Sequence, residues 1–374
     1  MSAHKTSAWP LAQAYVALIV YASLYPFDGW RLQGVAPWEF LASPWPKYWT
    51  AFDLAANMAG YAPLGFLLAL AHLRGAGLRI AGRGWAVGVA ALLGAGLSLA
   101  MEALQTYLPS RVPSNLDFGL NVLGALTGAV LAAGLEWLGA IDHWSRLRAR
   151  WFVPEARGAL VLLALWPMAL LFPASVPLGL GQVFERLEAA LADWLLDTPF
   201  LEWLPVRDLE LQPLVPGVEL LCVMLGLLVP CLLGFSLIRR RVLRVKFVVL
   251  LVAVAVMLSA LSATLSYGPR NAWTWLDLPS MLGLGLGAVV ALLMVPLSHR
   301  ACLALLLLVG VVHLSVLNQA PASAYFAQTL QTWEQGRFIR FHGLAQWLGW
   351  LWPFTVLLDA LIRLSQPAPA KRAP

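Results

Sequence analysis

Apolar residues in this chain gather into runs of roughly 17–25, the length that carries a helix across about 30 Å of hydrocarbon. Polar breaks rich in Pro, Trp or Arg separate the runs. The pattern predicts about ten spans, over Trp9–Tyr25, Leu54–Leu73, Trp85–Tyr107, Phe118–Leu138, Ala159–Phe172, Val218–Ile238, Phe247–Tyr267, Ser280–Leu297, Ala301–Leu317 and Leu344–Ile362. Runs of this length fit helical spans, so the expected fold class is all-α, a polytopic transmembrane helix bundle. Two stretches outside the runs carry apolar residues at helical spacing. Phe184, Leu187, Leu191 and Trp194 stand opposite Glu185, Glu188 and Asp193, which predicts an amphipathic helix at a membrane interface. Phe326, Leu330 and Trp333 predict a second.

Three of the apolar segments also carry a polar stripe. They read Asp53-x3-Asn57-x2-Gly60, Ser98-x3-Glu102-x2-Gln105 and Asp117-x3-Asn121-x2-Gly124, with Gly128 one turn further on. At about 100° per residue, offsets of 4 and 7 stay on one narrow helix face. The first and third stripes look alike, a weak internal repeat. In water such a stripe is an ordinary solvated face. In lipid it needs a partner.

Composition decides for lipid. Hydrophobic residues make up 60% of the 374 and charged residues only 12%, against about 25% charged in a soluble protein. The 18 Trp residues sit largely at run ends, as an aromatic belt requires. A net charge of +6 invites a nucleic-acid reading until the charges are placed. They lie in short loops, at Arg74, Arg79 and Arg83, at Arg146, Arg148, Arg150 and Arg157, and at Arg239, Arg240, Arg241, Arg244 and Lys246. That is a positive-inside signature, and no nucleic-acid partner is expected. Cys222, Cys231 and Cys302 lie inside apolar runs without disulfide or metal spacing. The first run ends in Tyr25-Pro26-Phe27 rather than a small-residue cleavage site, so it is expected to be a retained span.

Placing the basic loops inside puts both termini in the cytoplasm. All three stripes then come out at or just below the outer surface, with Arg111 between the second and third.

The ordered set Asp53-x3-Asn57, Pro63-Leu64-Gly65-Phe66, Ser98-x3-Glu102-x2-Gln105, Arg111 and Asp117-x3-Asn121-x2-Gly124-x3-Gly128 resembles the VanZ-like family, as does the Tyr25-Pro26-Phe27 ending. The resemblance covers roughly residues 10–140. It divides the chain into a VanZ-like four-span membrane domain at 1–145 and a six-span extension at 146–374. It implies a multi-pass protein of the bacterial inner membrane, tied to the cell envelope and to glycopeptide resistance, and it supplies no reaction.

Two readings of Asp53, Asn57, Ser98, Glu102, Gln105, Arg111, Asp117 and Asn121 stay open. In the first they form an outward-facing ligand site. Asp53 and Asp117 mark helix starts whose N–H groups favour an anion, such as a lipid or polyprenyl phosphate, and Arg111 supplies the cation. In the second the acids cap helices, the amides and Ser98 bridge neighbours, and Glu102 with Arg111 is a structural ion pair. Gly60, Gly94, Gly96, Gly124 and Gly128 would then be close-contact points. No nucleophile–His pair or His cluster accompanies these residues, so a non-enzymatic role with no cofactor and no metal is expected. The alternatives are an enzyme acting on a lipid-linked phosphate, with Glu102 as acid or base, and a transporter. His313 reads as a helix–helix hydrogen bonder. The Arg239–Lys246 run reads first as an orientation signal and second as a headgroup site.

Overall fold

The computed structural model describes residues 8–25, 27–46, 49, 51–74, 82–153, 157–204, 211–321 and 339–366, with the side chains of 51–53, 157 and 339–344 excepted. The described residues form twelve α-helices, three short 3-10 turns and no strand. The helices are α1 (Ala8–Leu24), α2 (Ala51–Arg74), α3 (Arg83–Gln105), α4 (Asn115–Trp137), α5 (Ala140–Trp151), α6 (Arg157–Ala169), α7 (Phe184–Leu195), α8 (Pro216–Phe235), α9 (Arg241–Tyr267), α10 (Leu278–Leu293), α11 (His299–Leu317) and α12 (Ile339–Ser365).

Each of the ten predicted spans is occupied by an apolar helix. Seven of these, α2, α3, α4, α8, α9, α11 and α12, are long and apolar enough to cross a membrane, and α1, α6 and α10 are shorter apolar helices. At 1.5 Å per residue the 13 residues of α6 reach only about 20 Å, short of the hydrocarbon thickness. Large apolar side chains crowd the outer faces: Leu92, Val249, Leu293 and Leu308 are each more than half exposed. Exposed side chains of this kind are stable against lipid and not against water.

The chain divides into two compact units, 1–147 and 148–374. The first unit is built on the parallel pair α2 and α4, with α3 against both and α1 against α2 and α3. Glycine makes the pairing possible. A β-carbon on Gly124 or Gly128 would collide with the carbonyl oxygens of Met58 and Ala62, and one on Gly65 with that of Ala125. Gly94 similarly accepts the Ala125 methyl. Gly60 and Gly96, expected to be contact points, instead have nothing within 4 Å. Gly96 is exposed, and Gly60 meets α1 only through its carbonyl oxygen, which accepts from Tyr15 Oη at 3.0 Å. Gly139, at φ 68°, ends α4 in the left-handed conformation that favours glycine. The chain then re-enters a helix, α5, where a basic linker was expected. Asp142 stands in its first turn and Arg148 and Arg150 in its last, the charge order a helix dipole favours. Arg74 at the end of α2 pairs with Glu136 at 2.9 Å and Asp142 at 2.6 Å.

The second unit surrounds α8, which is buried on nearly every side from Cys222 to Phe235. A helix apolar all round belongs at a core. The segment Leu170–Val183, expected to be part of a span and an outer loop, is non-helical for most of its length and largely buried. Its backbone groups find partners: Ser262 Oγ donates to Leu171 O at 2.9 Å, Gly181 N to Gly349 O at 2.8 Å, and Asn318 Nδ2 to Gly181 O at 3.1 Å. Asn318 Oδ1 also accepts from Val183 N and Phe184 N. Irregular backbone among apolar helices requires such partners. The amphipathic helix α7 follows with Leu187 and Trp194 exposed. Its expected counterpart at Phe326–Trp333 lies outside the described residues.

The basic run is not a plain headgroup patch. Arg244 is 4% exposed and donates to the carbonyl oxygens of Ile238, Val295 and Leu297 at 3.0, 2.8 and 2.6 Å. It caps chain ends that would otherwise leave orphan acceptors. His313 Nδ1 lies 3.2 Å from Cys222 O, a helix–helix contact.

Candidate functional site

The site grows from the start of α4. Ser114 is its N-cap, extended at φ −139° and ψ 131°, and its hydroxyl accepts from Asp117 N at 3.3 Å. Ser114-Asn-Leu-Asp117 has the spacing of a capping box, in which the acid reaches back to the N-cap amide. Here another residue takes that amide: Glu102 Oε2, from the end of α3, accepts from Ser114 N at 2.9 Å. Asp117 turns instead to α2, where Asn57 Nδ2 donates to its Oδ1 at 2.7 Å. One turn deeper, Asn121 Nδ2 donates to Ser98 Oγ at 3.0 Å, with both residues buried. The three stripes therefore face one another across α2, α3 and α4.

Gln105 and Arg111 face α1 and the chain just beyond it. Gln105 Nε2 donates to Ser23 O at 3.0 Å, and Arg111 Nη2 to the carbonyl oxygens of Ala22 and Tyr25. Asp53 lies in the first turn of α2, and its side chain is outside the described residues. Glu102 is 4% exposed. Its carboxylate locks the α3–α4 turn.

Sequence spacing missed several participants. Ser114 was not singled out, and its signal is that of a Ser three residues before an acid at a helix start. Tyr61 is buried beside Ser98 and within electrostatic reach of Glu102; on α2 it follows Asn57 by one helical turn, and that spacing is the signal for it. Asn121 Oδ1 is buried with no hydrogen-bond partner among the described residues.

The segment after α1 folds over this end of the unit. Arg31 N donates to Tyr107 O at 3.0 Å, Gln33 Nε2 to Thr106 O at 2.8 Å, and Asn115 Nδ2 to Ser43 O at 2.6 Å. Between that segment and α4 lies an open cleft of about 440 Å³. Pro44, Pro46, Trp49 and Leu54 form its apolar wall, and Ser43, Ser114, Asn115 and Asp117 its polar side. No group of three or more His, Cys, Asp or Glu arranged to hold a metal occurs among the described residues. The arrangement suits recognition: short amide and hydroxyl groups, one carboxylate and a wall of rings at the edge of an apolar bundle.

Residues 4–137, the stretch that contains α1 to α4, match the VanZ/LLP1 family model. No curated protein and no solved structure matches the chain. Residues 4–137 are thus a VanZ-like domain, in a chain with seven helices long and apolar enough to cross a membrane.

Proposed function

We propose that the protein is a non-enzymatic component of the bacterial inner membrane, and that its VanZ-like domain binds the headgroup of an envelope lipid in the cleft above α4. The observation that carries this reading is the cleft itself, open beside Asp117 and walled by Trp49 and three prolines. An apolar wall beside a polar floor fits a molecule with a chain in the bilayer and a hydrogen-bonding head.

The same geometry supports one class of headgroup over another. Arg111, the cation expected for an anionic ligand, donates to main-chain carbonyl oxygens of Ala22 and Tyr25. Ser114 N already has the Glu102 carboxylate as its acceptor. The polar side of the cleft is left with hydroxyl and amide groups and the Asp117 carboxylate. Such a surface suits the hydroxyls of a glycan-carrier lipid better than a bare phosphate. Glu102, which an enzymatic role would need beside the substrate, is not among the residues lining the cleft.

Native mass spectrometry of the protein purified from its own membranes tests the proposal. A hydroxyl-rich lipid should be retained by the wild type and lost when Val112→Trp fills the cleft rim. Delipidated spectra for the wild type, or equal retention by the variant, would overturn it. A role in glycopeptide tolerance predicts altered teicoplanin sensitivity on deletion of the gene.

A further inference from the structure

The second unit repeats the helix plan of the first. An apolar helix, a long segment, a helix, a short basic stretch of sequence, an antiparallel helix, a short loop with Pro and Arg, and a last helix occur in that order in both. In the first unit these are α1, α2, α3 and α4, and in the second α6, α8, α9 and α10. α1 packs on α2 and α3 as α6 packs on α8 and α9. The parallel pairs share a register. Gly124 and Gly128 face the carbonyls of Met58 and Ala62, and Gly283 and Gly287 face those of Leu220 and Met224. The surrounding residues read Gly-x3-Gly-Ala-Val at 124–130 and again at 283–289.

This register makes specific positions equivalent. Asn57, one before Met58, corresponds to Glu219, one before Leu220. Asn121 corresponds to Ser280, and Asp117 falls one residue from Asp277. In the first unit an amide donates to the aspartate. In the second a carboxylate stands where that amide would be. Glu219 and Asp277 also interact electrostatically and line a common cavity of about 260 Å³. Aromatic rings of Phe172, Tyr267 and Trp275 and hydroxyls of Ser259, Ser262 and Thr274 share its wall with aliphatic side chains and prolines, and no Lys, Arg or His is among the lining residues. The Trp275 Nε1 is shielded and has no hydrogen-bond partner among the described residues.

We infer that this cavity is a binding site for an organic ammonium group, held between Glu219 and Asp277 against the faces of Tyr267 and Trp275. Two carboxylates with aromatic walls and no internal cation have the chemistry of a cation–π cage, which favours a positive, weakly hydrated ligand. Asp277 also caps α10 through its acceptance of Ser280 N at 3.0 Å, which holds one carboxylate fixed at the cavity edge.

The test uses the full chain in detergent, in a buffer without amines, and compares choline chloride with sodium chloride at equal ionic strength. Choline should raise the thermal midpoint saturably and change tryptophan emission, while sodium does neither. Glu219→Asn, which imports the amide of the first unit, and Asp277→Asn, which keeps the cap, should each weaken the choline response about tenfold or more. Trp275→Leu leaves both carboxylates in place and should weaken it as well. The inference is overturned if choline acts no differently from sodium. It is equally overturned if variants that keep the sodium-chloride transition respond like the wild type.

Discussion

Asn57 and Asp117, on two parallel helices, meet at 2.7 Å. Each belongs to one of the stripes that mark the sequence, and their contact joins α2 to α4 at the end where the cleft opens. A hydrogen bond from an amide to a carboxylate in a partly dry setting is worth about 1–2 kcal/mol. Asn57→Ala and Asp117→Ala should each lower the thermal midpoint. A double-mutant cycle should return a coupling of about 1 kcal/mol. Strictly additive losses would show that the contact contributes nothing.

The glycine seam makes a sharper contrast. Gly128→Val places a side chain into the Ala62 carbonyl and should cost about 1–3 kcal/mol or prevent accumulation. Gly60→Ala and Gly96→Ala meet open space and should be neutral or stabilising by up to about 1 kcal/mol through helix propensity. Melting of the three variants side by side in one detergent decides it.

Glu102 separates a lock from a catalytic acid. Glu102→Gln keeps an oxygen to accept the Ser114 amide and should retain most of the stability. Glu102→Leu leaves that amide without its acceptor and should cost about 1–3 kcal/mol. Equal melting of Gln and Leu variants would remove the locking role.

At the basic run, Arg244→Met should destabilise by about 1–3 kcal/mol, because three carbonyl oxygens lose their donor. Arg240→Ala and Arg241→Ala, both exposed, should stay within about 0.5 kcal/mol. Chemical denaturation of the three proteins is the measurement.

Orientation is open to direct labelling. Val112 is 86% exposed at the cleft rim, and the charge pattern puts this end of the first unit outside. Val112→Cys should react with a membrane-impermeant maleimide on intact cells. The three native cysteines are buried and should stay silent. Reaction only after the membrane is opened would reverse the topology.

The helices were legible because lipid demands long apolar runs. Their ends were legible wherever Pro or an Arg turn interrupts a run. The polar stripes were legible because offsets of 4 and 7 survive any packing. What lay beyond reach was pairing. Spacing puts Asp117 on a face, yet it does not say that Glu102 will take the Ser114 amide and leave Asp117 to Asn57. Arg111 looked like a cation for a ligand because its carbonyl acceptors, at Ala22 and Tyr25, carry no mark in the side-chain code. Gly60 and Gly96 had the right residue type, yet no neighbour comes close enough to need it. The buried Leu170–Val183 segment looked like a span end and a loop, since its partners lie far away in sequence.

That segment also bears on biosynthesis. Its amide at Gly181 bonds to Gly349, and its turn is held by Asn318. While the ribosome is still making α8 to α10, neither partner has emerged. These contacts of the segment can form only once the later helices have been made. Assembly of the second unit is therefore completed only after synthesis of α12, and a nascent chain stalled before Asn318 would present an open, protease-sensitive turn.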